Sequence, residues 1–458
     1  MKSGNKPSEI ELYALAFGLF LGLAILKFGN PVILNSKITP PVSASDFLND
    51  PWPTHWANWC FLPLALAGAA IVWSKKTLWP ASKWLWLLPL LWFGWQLFSA
   101  MKTVDTNLTI ATFWQFFGCV TCYFLGTFLF GHERTVRWLL IGVLAAFTFC
   151  MMRAVDQRIF EFPQNHQALV EGERSGWTNF PPETLFEMKR ENLIVTTNGV
   201  DVANPVILAK FVKGRVNGTL VYPNALAGLV LLLFPVAMVL AFDSTKRLRQ
   251  AIRIAVITLV LFLGVVGFFW TGSKLGWLIA IVVGVVWLFR LKWAARFKWV
   301  TLIIILMAGL GIFALRFHGY FSAGATSASA RFDYWHAALQ TTFSHPWFGT
   351  GPGTFQRPYA KLKSPDSEMA RLTHNDYLEQ FSDSGILGGI FYLFWTFLAM
   401  LTIGKKLWRF GSPVMFGIFV GLLGWFAQGI GEFSLYIQPW LGRPLLYWGA
   451  CWPGQEMK

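Results

Sequence analysis

Three polar segments carry the residue types able to do chemistry. The richest reads Arg331-Phe332-Asp333-Tyr334-Trp335-His336, then His345-Pro346-Trp347-Phe348-Gly349-Thr350-Gly351-Pro352-Gly353. It continues with Thr373-His374-Asn375-Asp376-Tyr377-Leu378 and Gly385-Ile386-Leu387-Gly388. An arginine at a membrane surface offers a planar, permanently charged fork suited to phosphate oxygens. A histidine titrates near neutrality and can take a proton from a hydroxyl. The Gly/Pro run between them predicts a tight loop where backbone approaches a ligand closely. The second segment, Gly214-Arg215-Val216-Asn217-Gly218-Thr219 with Tyr222-Pro223-Asn224, adds another arginine. The third, Trp270-Thr271-Gly272-Ser273-Lys274, adds a lone lysine in a short turn.

Each of these has a plain structural alternative. Arg331 can be an interfacial anchor and Lys274 a snorkelling side chain. A lone loop histidine is more often surface than catalytic, and His345-Pro346 can simply end a helix.

The elements that must position them are apolar helices. Of 458 residues, 55% are hydrophobic and only 13% charged, about half the charge of a soluble domain. Apolar stretches long enough to span hydrocarbon as helices fall near 10–27, 57–73, 84–100, 108–130, 138–152, 219–242, 252–270, 274–291, 299–317, 385–404 and 412–430, with a weaker twelfth near 435–453. The expected fold is all-α, a polytopic membrane helical bundle of about 12 transmembrane helices. The first apolar run reads as a retained span rather than a cleaved signal.

Basic residues follow every second span: Lys75, Lys76 and Lys83; Arg134 and Arg137; Lys246, Arg247, Arg249 and Arg253; Arg290, Lys292, Arg296 and Lys298; Lys405, Lys406 and Arg409. The positive-inside rule puts those loops and both termini in the cytoplasm. It also explains the net charge of +15 without nucleic acid, which is not expected as a partner. The chain then divides into helices 1–5 (1–152), a long outer loop (153–218), helices 6–9 (219–317), a second long outer loop with the chemical motifs (318–384) and the last helices (385–458). Cys119 and Cys122 form a CxxC, read as small apolar residues on a helix face rather than as a metal or redox pair.

Five motifs in order resemble the O-antigen ligase and polymerase superfamily of bacterial membrane glycosyltransferases. They are Arg215-x-x-Gly218-Thr219 with Pro223-Asn224, Thr271-Gly272-Ser273-Lys274, Arg331-x-x-x-Trp335, His345-Pro346-x-x-Gly349-x-Gly351, and His374-Asn375-x-x-Leu378 with Gly385-x-x-Gly388. They span roughly residues 210–430. Lys274 stands where the family often has arginine, and the 153–218 loop looks longer than usual.

The resemblance implies a metal-independent, inverting transfer of a glycan from undecaprenyl pyrophosphate to an acceptor hydroxyl, with no cofactor. The enzyme would lie in the bacterial inner membrane with its site facing the periplasm. Without a metal ion, positive side chains must meet the pyrophosphate charge. Arg215 and Arg331 would do so and His374 would act as base, while Lys274, Asn224, Asn375, Ser273 and Trp335 would contact substrate. The favoured acceptor is lipid A core, with another glycan repeat (a polymerase) or a protein hydroxyl (an O-oligosaccharyltransferase) as alternatives. A transporter or flippase of an anionic lipid-linked glycan is the competing class. It would favour mid-membrane charges and paired broken helices; spans two to eleven carry almost no interior charges, and the two halves show no matching broken helices. Glu432 and Arg443 flank the weak last span and stay outside the expected site.

Overall fold

The computed structural model describes residues 6–29, 38–75, 82–322, 326–365 and 367–437. In chain order these form α1 (Glu9–Lys27), α2 (Ala44–Asn49), α3 (Thr54–Lys75), α4 (Trp84–Ala100), α5 (Thr106–Leu129) and α6 (Glu133–Asp156). A π-helical turn (Gln157–Glu161) leads to α7 (Phe162–Arg174), α8 (Pro182–Arg190), β1 (Ile194–Thr197), β2 (Val200–Ala203) and α9 (Pro205–Lys213). Then follow α10 (Pro223–Ser244), α11 (Gln250–Thr271), α12 (Lys274–Arg290), α13 (Ala295–Ser322), α14 (Thr326–Ser344), α15 (Gln356–Leu362), α16 (Asp376–Phe410), α17 (Pro413–Gln428) and α18 (Ser434–Ile437).

Among the described residues, eight helices are long and apolar enough to cross a membrane: α1, α3, α5, α6 continued into α7, α10, α11, α13 and α16. Only 6% of the α13 span and 11% of the α11 span are buried inside the protein, against 72% for α10. Ile303, Ile304, Met307 and Leu310 of α13 are among the large side chains left exposed. An apolar belt of this kind is stable only against hydrocarbon, so the chain is a polytopic helical membrane protein. The expected twelfth helix, with Arg443, lies outside the described residues apart from the short α18.

Close helix crossings use small residues, as lipid-embedded helices do. A Cβ on Gly18 of α1 would lie 2.0 Å from the Leu139 carbonyl of α6, and one on Gly421 of α17 would lie 2.0 Å from the Leu232 carbonyl of α10. At one end of the bundle Lys75 pairs with Glu9, Arg134 with Glu11 and Arg137 with Asp243. The motif-bearing segments gather at the opposite end.

The stretch 153–218 is folded. Leu169, Trp177, Ile194 and Ala203 form a small core of its own, and Trp177 Nε1 donates to the Asp201 carbonyl at 2.8 Å. Its antiparallel hairpin pairs Thr197 with Val200 around Asn198 and Gly199, both at positive φ. These are the residues a tight I′ hairpin turn needs. Among the described residues this hairpin is the one departure from an all-helical fold.

Helix α16 begins at Asp376, nine residues before the apolar run suggested, and is interrupted at Gly385 (φ 71°, ψ −174°). The interruption is sealed by the 346–353 loop. Thr350 N donates to the Ser382 carbonyl (3.2 Å), Gly351 N to the Asp383 carbonyl (2.9 Å) and Ile386 N to the Pro346 carbonyl (2.8 Å). From α4, Trp95 Nε1 donates to the Ser384 carbonyl (2.9 Å) and Ser99 Oγ to that of Asp383 (2.9 Å). A Cβ at Gly349 would lie 2.3 Å from Asp383 C, and one at Gly385 would lie 2.4 Å from the Trp347 carbonyl. These contacts are the physical content of the two Gly-bearing motifs: each allows the other's backbone to come this close.

Candidate functional site

Three chain segments converge on one carboxylate, Glu432, which is 2% exposed. Its Oε1 accepts from Asn224 Nδ2 at 2.6 Å and from Arg331 Nη2 at 2.5 Å. Its Oε2 accepts from the Tyr222 hydroxyl at 2.7 Å and lies 3.3 Å from His374 Nδ1. Arg215 joins through Asn224, whose Oδ1 accepts from Arg215 Nη2 at 2.8 Å. The other edge of that guanidinium is fixed by the Thr271 carbonyl, 2.7 Å from Nε.

Local structure explains these placements. Tyr222 and Asn224 flank Pro223, the first residue of α10, a position where proline fits a helix start. The 429–435 turn bearing Glu432 is clamped to the start of α16: Asp376 N donates to the Gly429 carbonyl (2.8 Å), and the Asp376 carboxylate accepts from Leu435 N (3.0 Å). His374 sits at φ 52°, one residue ahead of the α16 cap. Its ring stacks on Tyr334 (centroids 5.8 Å apart) and meets Phe433 edge-on at 4.6 Å.

The electrostatics follow from burial and partners. Burial alone would raise the Glu432 carboxyl, but the His374 hydrogen bond, the Arg331 charge and the Tyr222 hydroxyl together hold it below its usual value. Burial lowers the Arg215 guanidinium from its ordinary value, with Glu432 opposing and Arg331 adding to that shift. Burial and Glu432 push the Tyr222 hydroxyl up. Arg331 Nε is buried without a hydrogen-bond partner.

Of the expected site residues, the structure brings Arg215, Asn224, Arg331 and His374 onto one connected network. Lys274 stands beside it, at the first residue of α12, with its ammonium 3.8 Å from the Tyr320 ring centroid and 5.5 Å from that of Phe317. Arg215, Arg331, Lys213 and Arg316 all act on it electrostatically. Trp335 lies four residues from Arg331 on α14, hence on the same helix face, with a buried indole N–H that has no partner.

Two further expected residues hydrogen-bond the backbone. Ser273 Oγ accepts from Gly276 N (3.2 Å) and caps α12. Asn375 Oδ1 accepts from Tyr377 N and Leu378 N, both at 3.0 Å, and caps α16. Short polar side chains are favoured at such positions for this reason.

Sequence reasoning left out Glu432 and Tyr222, and missed Arg316, whose guanidinium lies 5.2 Å from the Phe269 ring. The available signals were Glu432 as an acidic residue beside an apolar span and Arg316 as a cation near the C-terminal end of α13. Cys119 and Cys122 are buried, packed in the helical core. Among the described residues, no three His, Cys, Asp or Glu side chains gather so as to hold a metal ion.

Below the cations runs an apolar cavity of about 910 Å³ between α10, α11, α12 and α13. Phe234, Met238, Val265, Trp277 and Ile304 line its walls, and Phe269 and Trp270 its upper end. Trp270 precedes Thr271, whose carbonyl holds Arg215, and Phe269 underlies Arg316. The groove therefore leads to the cationic cluster.

The fold and site define a polytopic helical membrane protein with a cation-rich polar site at one end, above an apolar groove. More specifically, residues 259–393 match the family described as O-antigen ligase, and the chain carries that domain. The matched segment includes Lys274, Arg331 and His374, while Arg215, Asn224 and Glu432 lie outside it. The family is one of membrane glycosyltransferases of the ligase and polymerase type, acting on lipid-linked glycans. No curated protein matches the chain.

Proposed function

We propose that the protein transfers a glycan from a polyprenyl pyrophosphate, undecaprenyl pyrophosphate in bacteria, to an acceptor hydroxyl at the periplasmic face of the inner membrane. One observation carries the reading: Arg215, Arg331 and His374 share a single hydrogen-bonded network at the head of an apolar groove. The groove suits a polyprenyl tail, and the arginines suit the pyrophosphate at its end.

In the reaction, the acceptor oxygen bonds to the anomeric carbon from the face opposite the leaving group, inverting it. Its proton passes to His374, and the anomeric C–O bond to phosphate breaks. The electron pair leaves on the lipid pyrophosphate, whose growing negative charge Arg215 and Arg331 meet, with Lys274 as a third cation. The leading form of this reading is the ligase reaction, with lipid A core as acceptor. Transfer to another glycan repeat or to a protein hydroxyl would use the same site.

The test is transfer from a purified undecaprenyl-pyrophosphate-linked glycan by the purified protein in EDTA. Wild type is expected to be active, and His374→Ala, Arg215→Ala and Arg331→Ala to lose activity by about 100-fold or more. Full activity of His374→Ala would overturn the base assignment. Movement of donor across a bilayer with no transfer to any hydroxyl would instead favour a flippase.

A further inference from the structure

We infer that Glu432 is the positioning residue that makes His374 a one-sided base and ties the acceptor half of the site to the donor half. The inference rests on the glycosyl-transfer reading above and goes beyond it, because Glu432 lies outside the matched family segment.

The argument starts from the imidazole. A neutral histidine carries one N–H and one lone pair, and the neighbour of one nitrogen decides which is which. A carboxylate only accepts hydrogen bonds. With Glu432 Oε2 at 3.3 Å from Nδ1, Nδ1 is the protonated nitrogen and Nε2 keeps the lone pair. The stack on Tyr334 and the edge contact with Phe433 hold the ring plane. Nε2 therefore points away from the carboxylate. The His374 side chain is 28% exposed and that of Glu432 2%, so the base reaches the open side of the site while its support stays behind.

The carboxylate is itself fixed. Each oxygen takes one neutral donor and one nitrogen side chain of the reaction centre: Asn224 and Arg331 on Oε1, Tyr222 and His374 on Oε2. Four partners from three separate elements leave it little freedom to rotate. Asn224 passes the connection on to Arg215, so both arginines and the base are held in relation to one group.

Charge gives the second reason. The cations that suit a pyrophosphate make a poor environment for a base that must become positive on taking a proton. Arg331 acts on Arg215, and Arg215, Arg331, Lys213 and Arg316 all act on Lys274, so positive charge accumulates in this region and repels a further positive charge. Glu432 is the carboxylate placed between Arg331 and His374. It offsets that repulsion where the imidazolium forms.

The decisive experiment measures kcat and donor KM for Glu432→Gln, Glu432→Asp, His374→Ala and the double variant His374→Ala/Glu432→Gln, alongside melting temperature. For Glu432→Gln we expect kcat to fall by about 10²-fold or more, as when a carboxylate that orients a catalytic histidine is neutralised. Its donor KM should be unchanged or lower, because Arg331 is released toward the anion. Glu432→Asp, which keeps the charge on a shorter arm, should recover part of kcat. If Glu432→Gln does not fold, this variant carries the test, with reduced kcat at unchanged donor KM expected. The double variant should be no slower than His374→Ala alone, since residues acting as a unit are not additive.

A Glu432→Gln enzyme within threefold of wild-type kcat would overturn the inference. So would a loss confined to KM, or a double variant slower than His374→Ala by the full Glu432→Gln factor. The two readings fail separately: an active His374→Ala removes the base itself, whereas an inactive His374→Ala beside a fully active Glu432→Gln removes only the role of Glu432.

Discussion

Two buried carboxylate sites lie on either side of the segment that carries His374, and they do opposite work. Glu432 meets Arg331 and His374 at the edge of the cationic cluster. Asp383 and Glu379, both completely buried, make no ion pair among the described residues. Asp383 Oδ2 accepts from Gly353 N at 2.6 Å and from the Tyr436 hydroxyl at 3.3 Å. Glu379 Oε2 accepts from Thr373 N at 2.8 Å. Residue type and burial are the same in both places, and the partners differ. A carboxylate facing mobile or ligand-facing cations can take part in chemistry, whereas one facing backbone N–H groups holds loops in place. Asp376 belongs with the second kind, since it pins both ends of the Glu432 turn. The supporting site thus builds the reacting one.

The contrast can be broken in three places. Gly385→Ala should have the largest effect. It puts a Cβ 2.4 Å from the Trp347 carbonyl at a φ of +71°, inside the seal around the α16 interruption. A loss of roughly 3 kcal/mol or more, or failure to fold, is expected in thermal unfolding. A stable, active Gly385→Ala would show that the interruption is not what sets the scaffold.

Asp383→Ala comes next. It orphans the buried Gly353 N–H, at a cost of about 1–3 kcal/mol in a melting experiment. Transfer per folded molecule should stay within about threefold of wild type. A selective loss of kcat at unchanged stability would move Asp383 into the reacting group and erase the distinction.

The smallest effect concerns pH. The Glu432 carboxyl sits below its ordinary value of 4.5 in the folded protein, so its contribution to stability is fully present above that value. It is lost as pH falls through the folded value. Melting temperatures of wild type and Glu432→Gln should therefore differ near neutrality and converge in acid, once the pH has fallen through the folded value. A difference that persists unchanged into acid would mean that Glu432 acts as a neutral hydrogen-bonding group.

The spans were legible because hydrocarbon imposes one strong rule, a long apolar run, and α11 or α13 obeys it without exception. The start of α16 was not. Asp376, Glu379 and Asp383 make residues 376–384 look like polar loop, and only the tertiary partners of those carboxylates let them enter a helix. The arginines and His374 stood out by residue type and motif. Glu432 did not, because it lies 58 residues from His374 and 101 from Arg331 in a stretch with no pattern of its own. The capping roles of Asn375 and Ser273 were not legible for a local reason: a side chain suited to hydrogen-bonding a substrate is equally suited to capping the helix that follows it.

His374 also bears on how such a protein can change. It is one of four non-glycine residues at positive φ among those described, a region that costs an ordinary L-residue about 1–2 kcal/mol. Glycine or asparagine would occupy the position more comfortably. Folding and chemistry therefore select in opposite directions at this site. A lineage or laboratory screen that rewards only robustness should drift toward glycine at 374 and become sturdier as it becomes inert. Histidine persists there only while the reaction is itself under selection.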